Sequence, residues 1–89
     1  MTSKELQHHL FMCAKVVADS HEFEIYSFTV DGDLVDVSWR GFDTQGNAVG
    51  LTHVFDLSLM KMSRIPKAAI EEEVFICGKI IEEGLSDDH

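Results

Sequence analysis

The chain has 89 residues, of which 45% are hydrophobic and 26% are charged, a composition typical of a folded globular protein rather than a disordered one. This length allows one domain with one core. Asp and Glu number 16 against 7 Lys and Arg, which gives a net charge of −9. Such a charge repels nucleic-acid phosphates and anionic lipids, so the composition argues against direct binding to nucleic acids or membranes and favours a basic protein partner.

The two cysteines are too few for a disulfide framework, and no apolar run reaches the roughly 18 residues of a membrane span. The first residues do not form a basic-then-apolar leader. We therefore expect a cytoplasmic protein with free thiols. We expect residues 1–84 to form a single α+β domain and residues 85–89 to form an acidic flexible tail.

The first predicted element is a helix that ends near Ser20. Thr2 and Glu5 have the spacing of a capping box, in which each residue satisfies an amide of the other at the helix start. Apolar residues recur at helical spacing and predict one buried stripe. The stripe contains Leu6, Leu10, Cys13, Ala14, Val17 and Ala18. Met12 and Val16 fall on the polar side of this helix, where we expect them to be partly exposed.

Two hairpins are predicted next, from strands over residues 22–30, 34–42 and beyond 46. Asp31-Gly32 is typical of a two-residue type I′ turn, which would place Val30 opposite Asp33. Gly46 predicts a three-residue loop over residues 44–46, which would place Val35 opposite Phe55 in the second hairpin. Both turns then direct the same set of apolar residues towards the helices. This set contains Tyr26, Phe28, Val30, Val35, Val37, Trp39, Val49, Leu51, His53 and Phe55.

The last long element is a helix from Pro66 to about Glu83, with Gly84 as its stop. Two interpretations are open for residues 57–65. The third strand either continues into this segment or ends before it. The predicted fold is α+β with the order α-β-β-β-α, a three-stranded antiparallel meander with two helices on one face. Double-stranded-RNA-binding domains share this order of helices and strands, and they present lysines near the start of the second helix. This chain has glutamates at residues 71–73 near that place, so we predict no RNA binding.

The first functional hypothesis is a non-enzymatic acidic module that binds and modulates a basic protein partner, and that forms a homodimer. Phe75 lies opposite the apolar stripe of the second helix among charged residues, which is typical of an aromatic anchor. Glu71, Glu72 and Glu82 would steer a basic surface towards it. The outer face of the sheet would add contact area through apolar side chains. These are Phe23, Ile25, Leu34, Phe42 and Val54. Small inhibitors from phages or mobile elements have this general size and charge.

The alternative hypothesis is a small-molecule or metal-binding protein with a pocket between the sheet and the helices. Its lining would be His53, Trp39, Tyr26 and Glu73, with Glu73 as a candidate acid or base if it is buried. His53 with Cys13 and Cys77 lacks a fourth ligand, and the spacing matches no recognised metal pattern. His9 and Cys13, four residues apart, supply only half of a site. We therefore predict no catalytic residue, no metal and no cofactor.

Overall fold

A computed structural model describes residues 2–84 and confirms the α+β order with one short helix added. The elements are α1 (Ser3–Ser20), β1 (Glu24–Asp31), β2 (Leu34–Phe42), β3 (Ala48–Asp56), α2 (Leu57–Lys61) and α3 (Pro66–Glu83). The three strands form one antiparallel sheet in the order β1-β2-β3. The tail predicted over residues 85–89 lies outside the described residues. No helix within residues 2–84 is long and apolar enough to cross a membrane.

Both long helices begin and end where the sequence predicts. The hydroxyl of Thr2 accepts from the amide of Glu5, and the Glu5 carboxylate accepts from the amide of Thr2, which completes the capping box. Pro66 occupies the start of α3, and Gly84 ends it with a φ of 99°. Both helices pack against the same face of the sheet and against each other, and the core lies between these layers.

The segment after β3 turns at once into α2, so the interpretation in which the strand continues is wrong. The carboxylate of Asp56 accepts from the amide of Ser58 and caps the new helix. Leu57 and Met60, three residues apart, are both buried. Burial of these two side chains over the end of the core favours a helical turn, since a strand would direct them to opposite faces.

The second hairpin matches its predicted register. Asp43 and Asn47 close a three-residue loop in which Gly46 has a φ of 84°. Val35 pairs with Phe55, as predicted. Inward residues of β2 are fully buried, and Trp39 donates its indole N–H to the carbonyl of Ala14 at 3.0 Å.

The first hairpin turns one residue later than predicted. Asp31 pairs with Leu34, which leaves Gly32 and Asp33 in the loop, and only the glycine has a positive φ, so the turn is not type I′. The carboxylate of Asp33 accepts from the hydroxyl of Ser3, and its carbonyl accepts from the amide of Leu57. These contacts hold Asp33 in the turn. Relative to the predicted register, the β2 partner of each of residues 27–31 is displaced by two positions, so that Phe28 pairs with Val37. Because side chains alternate every two residues, Phe28 still faces the helices as predicted.

The beginning of β1 is reversed relative to the prediction. The register shifts between Ile25 and Ser27, which makes Tyr26 a bulge residue. Ile25 therefore pairs with Trp39 on the inner face, and Phe23 packs against the core as well. Tyr26 is 60% exposed on the outer face. The expectation that Phe23 and Ile25 belong to the outer face, and Tyr26 to the inner one, is wrong because of this bulge.

Candidate functional site

Helices α1 and α3 run parallel to each other. His9 contacts Glu71 in the second turn of each helix, and Val17 lies against Gly78 two turns later. Phe75 follows Glu71 by one helical turn, so it lies on the side of α3 that borders α1. Its ring is 65% exposed.

Two apolar side chains of α1 are also exposed to solvent. Met12 is 51% exposed and Val16 is 63% exposed, as the sequence predicts for the polar side of this helix. The parallel alignment places them at the level of Phe75. We call Met12, Val16 and Phe75 the helical patch. Its members are exposed apolar side chains on two helices that are distant in sequence.

The charges on α3 around Phe75 are mainly negative, because this helix contains five glutamates and two lysines. Glu71 is held by His9 at 2.9 Å, and Glu82 lies 3.7 Å from Lys79. Glu72 is exposed on the other side of Phe75, where it lines a groove beside β3. Phe75 is therefore flanked by the acidic residues that the sequence predicts.

The outer face of the sheet presents three of the five predicted contact residues. Leu34, Phe42 and Val54 are exposed there, whereas Phe23 and Ile25 lie on the other face. Leu34 and Val54 are diagonal neighbours at one end of the sheet, and Phe42 lies at the other end.

A polar band divides that outer face. The hydroxyls of Ser38 and Thr52 share a hydrogen bond of 2.9 Å at its centre. The guanidinium of Arg40 stacks 3.9 Å from the centre of the Tyr26 ring. The apolar residues therefore form two small separate areas rather than one continuous docking surface.

His53 and Glu73 meet in a groove between β3 and α3. The Nε2 atom of His53 lies 2.8 Å from a carboxylate oxygen of Glu73, and both side chains are about one-third exposed. The groove is shallow and has both apolar and acidic walls. Its other lining residues are Val54, Asp56, Leu59, Met60, Ala69, Glu72 and Ile76.

Only half of the predicted pocket assembles in this groove. Trp39 is buried beneath α1, where it bonds Ala14, and Tyr26 lies on the opposite face of the sheet. His53 and Glu73 are thus joined without the two aromatic residues. Among the residues that line the groove, none is a serine, threonine, cysteine or lysine, so the His53 imidazole and the carboxylates are the side chains there able to attack as nucleophiles.

One further cluster joins α1 to α3. His9 Nε2 lies 3.6 Å from Cys13 Sγ and 2.9 Å from Glu71 Oε2. Within residues 2–84, these are the one group of three potential ligands whose atoms all lie within 4.8 Å of one another. Burial, together with the negative charge of Glu71, raises the pKa of the Cys13 thiol. The spacing of His9 and Cys13 indicates half of this cluster, but no sequence signal places Glu71 beside them.

Cys77 lies in the core at the α3 side and is fully buried. Burial, with a smaller contribution from the charge of Glu73, raises the pKa of its thiol to about 11. A thiol in this state is protonated at neutral pH and behaves as a small apolar side chain.

Comparison of the chain with protein-family models, curated proteins and solved structures found no match.

Proposed function

We propose that the protein is a non-enzymatic interaction module that binds and modulates a basic protein partner through the helical patch. The observation that carries this proposal is the exposed ring of Phe75 on the acidic α3, at the level of the exposed Met12 and Val16 on α1. A phenylalanine offers an apolar area of ~150–250 Å² to a partner, and it is rigid, so little entropy is lost on docking.

The acidic residues define the chemistry of the partner. Glu72 and Glu82 are exposed near the ring, and the whole chain carries a net charge of −9. Such a field accelerates encounter with a basic surface and disfavours an acidic one. A partner with a shallow apolar depression surrounded by Lys or Arg matches this surface.

The homodimer is a second part of the proposal and uses a different surface. Leu34, Val54 and Phe42 on the outer face of the sheet would contact a second copy. Size-exclusion chromatography with light scattering tests this part, since a strict monomer at high concentration would remove it. A cytoplasmic modulator of the phage or mobile-element kind is the biological role that the small size and acidity favour.

The docking surface is tested by Phe75→Ala in a pull-down from the native host followed by mass spectrometry. We expect the wild-type chain to capture a basic protein and Phe75→Ala to capture at least about tenfold less, because truncating an anchor removes ~2 kcal/mol or more of binding free energy. Because the ring is 65% exposed, circular dichroism should show an intact fold.

Phe42→Ala is the matched control, since Phe42 is an equally large side chain that is 71% exposed on the opposite face. Capture should survive this change. Loss of capture in Phe42→Ala with retention in Phe75→Ala would transfer the interface to the sheet and overturn the assignment to the helices.

A second candidate function is small-molecule binding in the groove at His53 and Glu73. The 2.8 Å contact between their side chains favours it, because a carboxylate orients the imidazole towards a ligand. A fragment screen followed by amide chemical shifts tests this function. Shifts confined to residues around His53 and abolished by Glu73→Gln would support it, whereas no cluster of shifts there would reject it.

A further inference from the structure

The cluster of His9, Cys13 and Glu71 has the chemical composition of a transition-metal site. It offers one imidazole nitrogen, one sulfur and one carboxylate oxygen, the three ligand types that Zn²⁺ uses in proteins. His9 and Cys13 are four residues apart on α1, so their side chains lie on the same face of the helix. Glu71 approaches this pair from α3.

The distances fit a tetrahedral ion. Zinc bonds of about 2.0–2.3 Å at tetrahedral angles place two ligand atoms about 3.5 Å apart. The Cys13 Sγ and His9 Nε2 atoms are 3.6 Å apart in this structure. The contact between His9 and Glu71 is a hydrogen bond of 2.9 Å and has to widen by about half an ångström. Rotation of the exposed Glu71 side chain allows this.

We propose that His9, Cys13 and Glu71 bind one Zn²⁺ ion, with water at the fourth tetrahedral position. The imidazole nitrogen lies close to both other ligand atoms, and all three atoms lie within 4.8 Å of one another, so a small rotation of Glu71 is enough to surround one ion. His9 and Glu71 have 23% and 57% of their side-chain surface exposed, so the ion and its water reach the site from solvent. The site is a property of the helix pair and does not depend on the proposed protein partner.

The expected consequence of binding is a link between α1 and α3. Two ligands belong to α1 and one belongs to α3, so the ion joins side chains more than 50 residues apart in sequence. A ligand that binds only the folded chain stabilises it in proportion to the logarithm of its free concentration. The melting temperature should therefore rise with added Zn²⁺ and return to its initial value with a chelator.

The test is a titration of the full chain with Zn²⁺ and, in parallel, with Co²⁺. A phosphine reductant in the buffer keeps the thiols reduced. We expect one Zn²⁺ per chain in equilibrium dialysis and a thiolate-to-cobalt charge-transfer band. Cys13→Ser should abolish the band. His9→Ala and Glu71→Gln should each weaken Zn²⁺ binding more than about tenfold.

His8→Ala and Glu72→Gln are matched controls, because they remove the neighbouring imidazole and carboxylate, both exposed outside the cluster. Both variants should bind Zn²⁺ as the wild type does. Binding that persists in Cys13→Ser and Glu71→Gln, or a cobalt spectrum without a thiolate band, would overturn the proposal. Glu71→Gln changes an exposed side chain, so its result does not depend on whether the cysteine variant folds.

Discussion

The two cysteines carry the same side chain in different surroundings. Cys77 is enclosed by the core, whereas Cys13 lies at the margin of α1 beside His9. Burial raises the pKa of both thiols, and for Cys77 the value reaches about 11. Reactivity should therefore differ between them mainly through access, since neither is held as a thiolate at neutral pH.

Cys77 is predicted to resist alkylation in the folded state. In a Cys13→Ala variant at pH 8, iodoacetamide should leave Cys77 unmodified until urea unfolds the chain, as measured by mass spectrometry. If iodoacetamide modified Cys77 as fast in the folded variant as in the urea-unfolded variant, Cys77 would be accessible to solvent and the prediction would be wrong.

Burial of Cys77 also predicts a dependence of stability on pH. Its pKa is higher in the folded than in the unfolded chain, so its contribution to stability is fully present below pH 9.0 and is lost as the pH rises through about 11. Urea unfolding of the wild type should show a free energy of unfolding that falls between pH 9.0 and about 11. In a Cys77→Ala variant this fall should be smaller.

At the level of the elements, the bulge at Tyr26 decides which face of β1 is available to a partner. The ring of Phe23 lies directly over Gly41, where an added Cβ would come within 2.4 Å of it. The missing side chain makes room for Phe23 on the inner face. Gly41 and the bulge together explain why Phe23 and Ile25 are not part of the outer surface.

Gly41→Ala is therefore predicted to lower the free energy of unfolding by about 1–3 kcal/mol, through steric conflict with Phe23. Urea denaturation measures this loss. In a double-mutant cycle, the same change in a Phe23→Ala background should cost less, because the conflicting ring is gone. Equal losses in both backgrounds would show that the two residues do not compete for space.

Most of the fold could be predicted from local signals in the sequence. The capping box of Thr2 and Glu5, Pro66, Gly84 and the loop at Gly46 each act within a few residues, and each is confirmed. The turn at Gly32 lies one residue later than local signals predict, because the contacts that hold Asp33 in it come from distant elements.

The sites were harder to predict for the same reason. The bulge near Tyr26 accompanies a long-range contact between Phe23 and Gly41 of β2, which no local pattern in β1 indicates. The meeting of His9 with Glu71 depends on the parallel alignment of α1 and α3, which helical periodicity does not determine. Periodicity does identify Phe75 as lying outside the apolar stripe, and its exposure agrees with that prediction.

At the scale of the whole molecule, three surfaces with exposed apolar residues are candidates for partner binding, and they differ in how well they support it. The outer sheet face is interrupted by the hydrogen bond between Ser38 and Thr52, and the groove at His53 is shallow. The helical patch joins two helices and adjoins exposed glutamates. Its attraction for a basic partner should weaken with added salt, since the charges that steer the encounter are in contact with solvent.

The most direct test of this account is hydrogen–deuterium exchange of the captured complex against the free chain. Slower exchange confined to residues 9–16 and 71–82, with residues 48–56 unchanged, is the predicted result. Slower exchange in residues 34–42 and 48–56, with α1 and α3 unaffected, would contradict docking through the helical patch.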